Sequence, residues 1–225
     1  MGASGSFPID IVLFGMVAAF LVLRLRSILG RRQGFERPAD APVPQAPGQA
    51  GGRVIDAVAE PVPQRLVPEP ASAVGQVLSR IVQADPGFQP AAFLAGAEGA
   101  FRMIVTAFAA GDRVTLRGLL SDDTYRAFEG AISAREAAGE TQRTEIRAIA
   151  TAAIEQAELR PQPPGPGIAA VTVRFVSDQV SLTLGHDGAP VAGTDAITEI
   201  TDMWTFEREC GSADPTWRLV AARSA

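Results

Sequence analysis

The sequence predicts an α+β protein carried behind an N-terminal transmembrane helix, and three observations predict it. An apolar run occupies residues 7–25, apolar residues recur at helical spacing between residues 72 and 139, and apolar–polar alternation takes over after residue 140. Helices first and strands afterwards is the order of an α+β domain.

From Ile9 to Leu23 the chain reads IDIVLFGMVAAFLVL, with Asp10 its one charge. Each Ile, Leu, Phe or Val there favours the centre of a membrane helix by about 0.3–0.6 kcal/mol. Counted over 7–25, with Arg24 reaching back to the interface, the segment is long enough to span. No basic residue precedes it, whereas Arg24, Arg26, Arg31 and Arg32 follow it, and no A-x-A site comes after it. That is the reverse of a cleaved signal peptide. The arginines place residues 1–6 outside and the rest of the chain in the cytoplasm, and they also suit anionic headgroups.

Residues 26–71 read as a linker. Eight prolines fall between 36 and 71, together with Gly51-Gly52, which excludes regular structure over most of that length. The stretch Arg53–Val58 is a short apolar interruption. The domain proper is expected over 72–225.

Ser72 is placed to cap a first helix whose apolar face is Val74, Val77, Leu78, Ile81 and Val82. It is too short to persist alone and must dock on the domain. After Asp85-Pro86-Gly87, a helix is expected from Pro90 to Ala110, with Phe93, Ala97, Phe101, Ile104 and Phe108 on one stripe and Gly111 ending it. Leu116, Leu119 and Leu120 predict a short turn of helix. Ser121, with Asp122 and Asp123 in the first turn, starts another, which buries Tyr125, Phe128 and Ile132 and stops at Gly139.

Residues 143–150 alternate like a strand, although their alanines also allow helix. Pro161 to Gly167 is expected as a loop. Ala170–Leu184 predicts a strand with Val171, Val173 and Phe175 on one face. Val180, Leu182 and Leu184 have the opposite parity, which predicts a bulge near Ser177-Asp178. Gly185–Gly193 reads as a turn, and Ile197–Arg208 and Trp217–Ala222 as two further strands.

The net charge of −5 is concentrated in the domain, since residues 1–79 carry +1 and residues 80–225 carry −6. A net-acidic domain argues against nucleic acid as a partner. All 20 basic residues are arginine, which fits the codon usage of a GC-rich genome. Cys210 is the sole cysteine, so no intrachain disulfide and no paired-cysteine metal site can form. His186, the sole histidine, sits in the turn Gly185-His186-Asp187-Gly188 and reads as a solvated residue. Neither a phosphate-binding loop nor a dinucleotide fingerprint is present. No cofactor or metal is expected. Asp202 shares strand parity with Ile200, Trp204 and Phe206, so it points toward the apolar face. It is either an acid paired with Arg174 or Arg218, or a general base in a pocket.

The stretches DPGFQPAAFLAGAEGAF, DRVTLRGLLSDDTYRAF, VRFVSDQVSLTL and ITDMWTFERECGSADPTWRLVA resemble the Tim-forty-four-like domain, named for a membrane-associated subunit of the mitochondrial import motor. Bacterial relatives carry a similar N-terminal membrane segment. The resemblance covers about residues 72–225. It implies a cone-shaped fold like nuclear transport factor two, with helices packed into a curved antiparallel sheet around an apolar pocket. Trp204, Phe206 and Trp217 would form one pocket wall, and Phe101 and Phe108 the other. It also implies an adaptor at the bacterial inner membrane, binding a protein partner, a lipid or both. Two alternatives stand beside it: a small pocket enzyme using Asp202, and a homodimerisation module. The long basic N-terminal region of the mitochondrial protein is missing, so a motor role does not carry over.

Overall fold

A computed structural model describes residues 63–224. Residues 1–62, which carry the expected external N-terminus, the expected membrane helix, most of the expected linker and the arginines Arg24, Arg26, Arg31 and Arg32, lie outside the described residues. The described chain runs β1 (Gln64–Leu66), α1 (Ala73–Ala84), α2 (Pro90–Ala110), α3 (Arg113–Leu119), α4 (Asp122–Ala137), β2 (Thr141–Gln162), β3 (Gly165–Leu184), β4 (Pro190–Glu209) and β5 (Arg218–Ser224).

Local chemistry sets the helix ends. The Ser72 hydroxyl accepts the Gly75 N–H at 3.0 Å, and the Ser121 hydroxyl accepts that of Thr124 at 3.3 Å. Asp112 caps α3 by accepting from the N–H groups of Val114 and Thr115 at 3.1 and 3.0 Å. Pro90 opens α2, where a missing N–H costs nothing, and Gly111 closes it in the left-handed region at φ 71°.

The strands form one curved, open, five-stranded sheet in the order β1-β2-β3-β4-β5. Three of the four pairings are antiparallel, but β1 runs parallel to β2, so the sheet is mixed rather than wholly antiparallel. This strand comes from residues expected as linker. It is held by the fork of Arg65 on Glu98 of α2, with Nε–Oε1 2.7 Å and Nη2–Oε2 3.0 Å. The Glu98 side chain is 8% exposed, so the pair is half sheltered from water.

The prolines at 161–164 do not make the expected long loop. They sit at the tip of a tight hairpin in which Gln162 pairs with Gly165. A hairpin tip requires few ladder N–H groups, which is where proline is tolerated. The turn after β3 is likewise shorter than expected, closed by the Gly185 N–H on the Ala189 carbonyl at 2.8 Å. Four register shifts along the β2–β3 pairing, the first between Ile146 and Ala148, bend the long hairpin. A further shift lies between Gln179 and Ser181, two residues past the expected bulge.

The curl encloses α2. Its 21 residues have a mean hydropathy of 1.3, long and apolar enough to cross a membrane by composition. Here it is the central core helix instead. Phe101 is fully buried, stacked on Phe175 at 4.5 Å between centroids and edge-on to Trp204 at 4.7 Å. At the other end Phe93 meets Phe206 and Trp217, with Phe88 beside it. α1 docks through Leu78 and Ile81, and Gly75 lets it close on the preceding chain, since a Cβ there would stand 2.0 Å from the Glu69 carbonyl oxygen. Asp85 and Arg208, both largely buried, pair across the end of α1 to β4.

Two substitutions test this packing by urea denaturation. Phe101→Ala is expected to destabilise the domain by about 3–5 kcal/mol. Gly75→Ala is expected to lower the midpoint through backbone collision without touching the aromatic core.

Candidate functional site

The inward face of β3 changes character along its length. Val171, Val173 and Phe175 face the core, as alternation predicts, but the same parity continues as Ser177, Gln179, Ser181 and Thr183, all buried. The expected switch to Val180, Leu182 and Leu184 does not occur as a block; of these only Val180 is buried. The interior is therefore apolar at one end and hydrogen-bonding at the other. Within this wall the Gln179 amide donates to the Ser177 hydroxyl at 2.8 Å.

A cleft of about 400 Å³ opens at the polar end. Phe108 of α2 and Ala131 and Ala134 of α4 form its apolar side. Ser181 and Thr183 of β3 and Gln142 of β2 form its polar side, and Glu140, Val191 and Ala192 form the rim. Phe108 is held edge-on against Phe128 at 5.1 Å.

Arg135 organises this corner. Its guanidinium donates to the last carbonyls of α2, Phe108 at 2.8 Å and Ala109 at 3.2 Å, and also to the Gln142 side-chain oxygen. It lies 5.2 Å from the Phe108 ring centroid. Burial pulls its pKa below the usual arginine value, yet guanidinium remains charged at any physiological pH. A polar chain runs onward from Gln142 to Thr144 at 3.2 Å and from Thr144 to Ser181 at 3.3 Å. The cleft thus pairs an apolar wall with prearranged donors and acceptors, the usual composition of a binding site.

The expected pocket aromatics are divided. Phe108 lines the cleft. Phe101, Trp204 and Phe206 form closed core with Phe175, and Trp217 packs on Phe88 and Phe93. Aromatic side chains at helical and strand spacing went mainly to packing. The lining residues that the sequence reading missed are small or polar, and the continued alternation Ser177-Gln179-Ser181-Thr183 was their one visible signal.

Asp202 is fully buried, as its parity requires, and accepts from the Ser224 hydroxyl at 3.2 Å. The arginines expected as its partners are engaged elsewhere. Arg174 bonds Glu155 at 2.6 Å, and Arg218 reaches Asp214 at 3.5 Å and the carbonyls of Arg117 and Gly118. Asp202 is not among the residues lining the cleft. His186 is exposed in its turn, and burial raises the pKa of the Cys210 thiol, which leaves it poorly reactive. Among the described residues, no group of three or more His, Cys, Asp or Glu is placed to hold a metal.

Residues 74–224 match the family model of the Tim44-like domain. No curated protein is significantly similar to the chain. Among solved structures, the intermembrane space region of the chloroplast protein ARC6 aligns at 10% identity with a TM-score of 0.39. That alignment covers 58% of this chain and 94% of the other.

Removing the guanidinium in Arg135→Met leaves the α2 carbonyls and Gln142 without their donor. It is expected to lower stability by about 1.5–3 kcal/mol, read by urea titration. Hydrogen bonds from Thr115 hold the Asp112 carboxyl below its ordinary pKa, and the Arg113 fork does the same for Glu136. A depressed folded pKa gives stability that is complete above the unfolded value and disappears as pH falls through the folded one. Wild-type stability should therefore drop below about pH 4, and Asp112→Asn should flatten that drop in urea midpoints.

Proposed function

The chain belongs to the Tim44-like domain family, and from that premise we propose that it is a membrane-tethered scaffold rather than an enzyme. Residues 7–25 hold it in a bacterial inner membrane, and the arginines after them keep the domain at the cytoplasmic face. The domain presents its cleft to a polypeptide partner in protein translocation or membrane-complex assembly. The observation that carries this reading is the cleft itself, an apolar wall of Phe108, Ala131 and Ala134 facing fixed hydrogen-bonding groups. Such a surface takes an apolar side chain and its flanking peptide groups together. A general-base role for Asp202 has no support from its position, because it lies in closed core beside Ser224.

A photo-crosslinking residue at Val191, on the exposed rim, tests the proposal in native membranes. We expect a protein adduct that disappears when Ala134→Trp fills the cleft, while Asp202→Asn leaves the cellular phenotype intact. Adducts only to lipid, or a cleft-filling variant that captures the same protein, would refute the partner reading.

A further inference from the structure

The hydrogen bonds behind the cleft run in one direction. A guanidinium only donates, so the Gln142 side-chain atom that meets Arg135 is its oxygen, and the amide nitrogen is turned the other way. That nitrogen donates to the Thr144 hydroxyl at 3.2 Å, and Thr144 lies 3.3 Å from the Ser181 hydroxyl. Among the described residues the Thr144 proton has no other side-chain acceptor, so Thr144 donates to Ser181. The Ser181 hydroxyl ends the chain with its own proton unspent, and it lines the cleft.

Arg135 gives this relay its sign. Its hydrogen bonds go to the Phe108 and Ala109 carbonyls and to Gln142, all neutral oxygens, and among the described residues it forms no ion pair. Each donor is polarised by the one before it, so the positive end of the relay is delivered at Ser181. Thr183 stands two residues further on, about 7 Å along the same face. Among the described residues its hydroxyl has no hydrogen-bond partner.

We propose that the cleft recognises the C-terminal residue of a polypeptide, with the Ser181 hydroxyl donating to its carboxylate and its apolar side chain lying against Phe108, Ala131 and Ala134. An N–H group placed at Ser181 would leave the hydroxyl proton unpaired, whereas a carboxylate accepts it and answers the charge behind it. Glu140 is the one acid among the lining residues and Arg135 the one cation, so a monoanion suits the cleft better than a phosphate. Thr183 then meets the carbonyl of the preceding peptide group, which a simple organic acid does not carry. From the reading above, this inference takes only that the carrier is a polypeptide.

The test uses the full-length protein in non-ionic detergent, with binding read from NMR line broadening of the probe. The probes are acetyl-alanyl-leucine, its C-terminal amide, and isocaproate, which is leucine without its amino group. The free acid should bind about tenfold or more tighter than the amide. Ser181→Ala should abolish that preference, and Thr144→Val, which cuts the relay but keeps the Ser181 hydroxyl, should reduce it. The comparison of acid with amide on the wild-type protein stands without either variant. Equal binding of acid and amide would overturn the inference and leave the polypeptide reading intact. An unchanged preference in Ser181→Ala, or no binding of any probe, would overturn it too. If isocaproate binds as tightly as acetyl-alanyl-leucine, the carboxylate site stands, while its polypeptide carrier and the reading above fall.

Discussion

Enclosure of α2 is the constraint on which the rest of the domain depends. A helix so apolar on most sides cannot stand at the surface of a folded unit, and a flat sheet would cover only one face of it. The hairpin of β2 and β3 solves this by bending, and repeated register shifts supply the bend. Phe101 then meets Phe175 and Trp204 at close ring distances, while Phe93, about two turns earlier on α2, meets Phe206 and Trp217. Everything else is arranged around that contact. α1 and the Asp85–Arg208 pair close one end, and α4 is stitched to β5 by Thr124 on the Val220 carbonyl at 3.0 Å.

The same curl makes the site. A helix fills the enclosed space only where the facing strand residues are apolar. Past Phe175 the inward positions become Ser177, Gln179, Ser181 and Thr183, and there the helical layer no longer fills the concavity. The end of α2 needs its carbonyls satisfied at that point, and Arg135 does so from α4. One side chain therefore ends the core and shapes the cleft.

Much of the fold was legible because it rests on local chemistry. Ser72 and Ser121 as caps, Pro90 and Gly111 as helix limits, and the alternation of Val171, Val173 and Phe175 act over a few residues. β1 was not legible: three residues in a proline-rich stretch carry no periodicity, and their place depends on Arg65 finding Glu98 33 positions away. The hairpin tip at Pro163-Pro164 was hidden for a related reason, since prolines mark a break in pairing without saying how short the break is. At the site, large aromatics drew attention that their burial explains better. The cleft depended on which helix ended where, and only the assembled layers reveal that. Membership of the Tim44-like domain family, by contrast, was carried by motifs spread along the whole domain.

The placement of Arg65 and Glu98 also has a mechanical side. Traction on the upstream chain enters the domain at β1, before it reaches α1 or any core residue. Three paired residues and one forked ion pair stand in its path. They would part first, letting out residues 63–68, about 20 Å of chain when extended, before the Glu69–Ser72 turn that leads into α1 is loaded. The folded unit is thereby protected by a sacrificial fuse, which yields length under load before it yields structure.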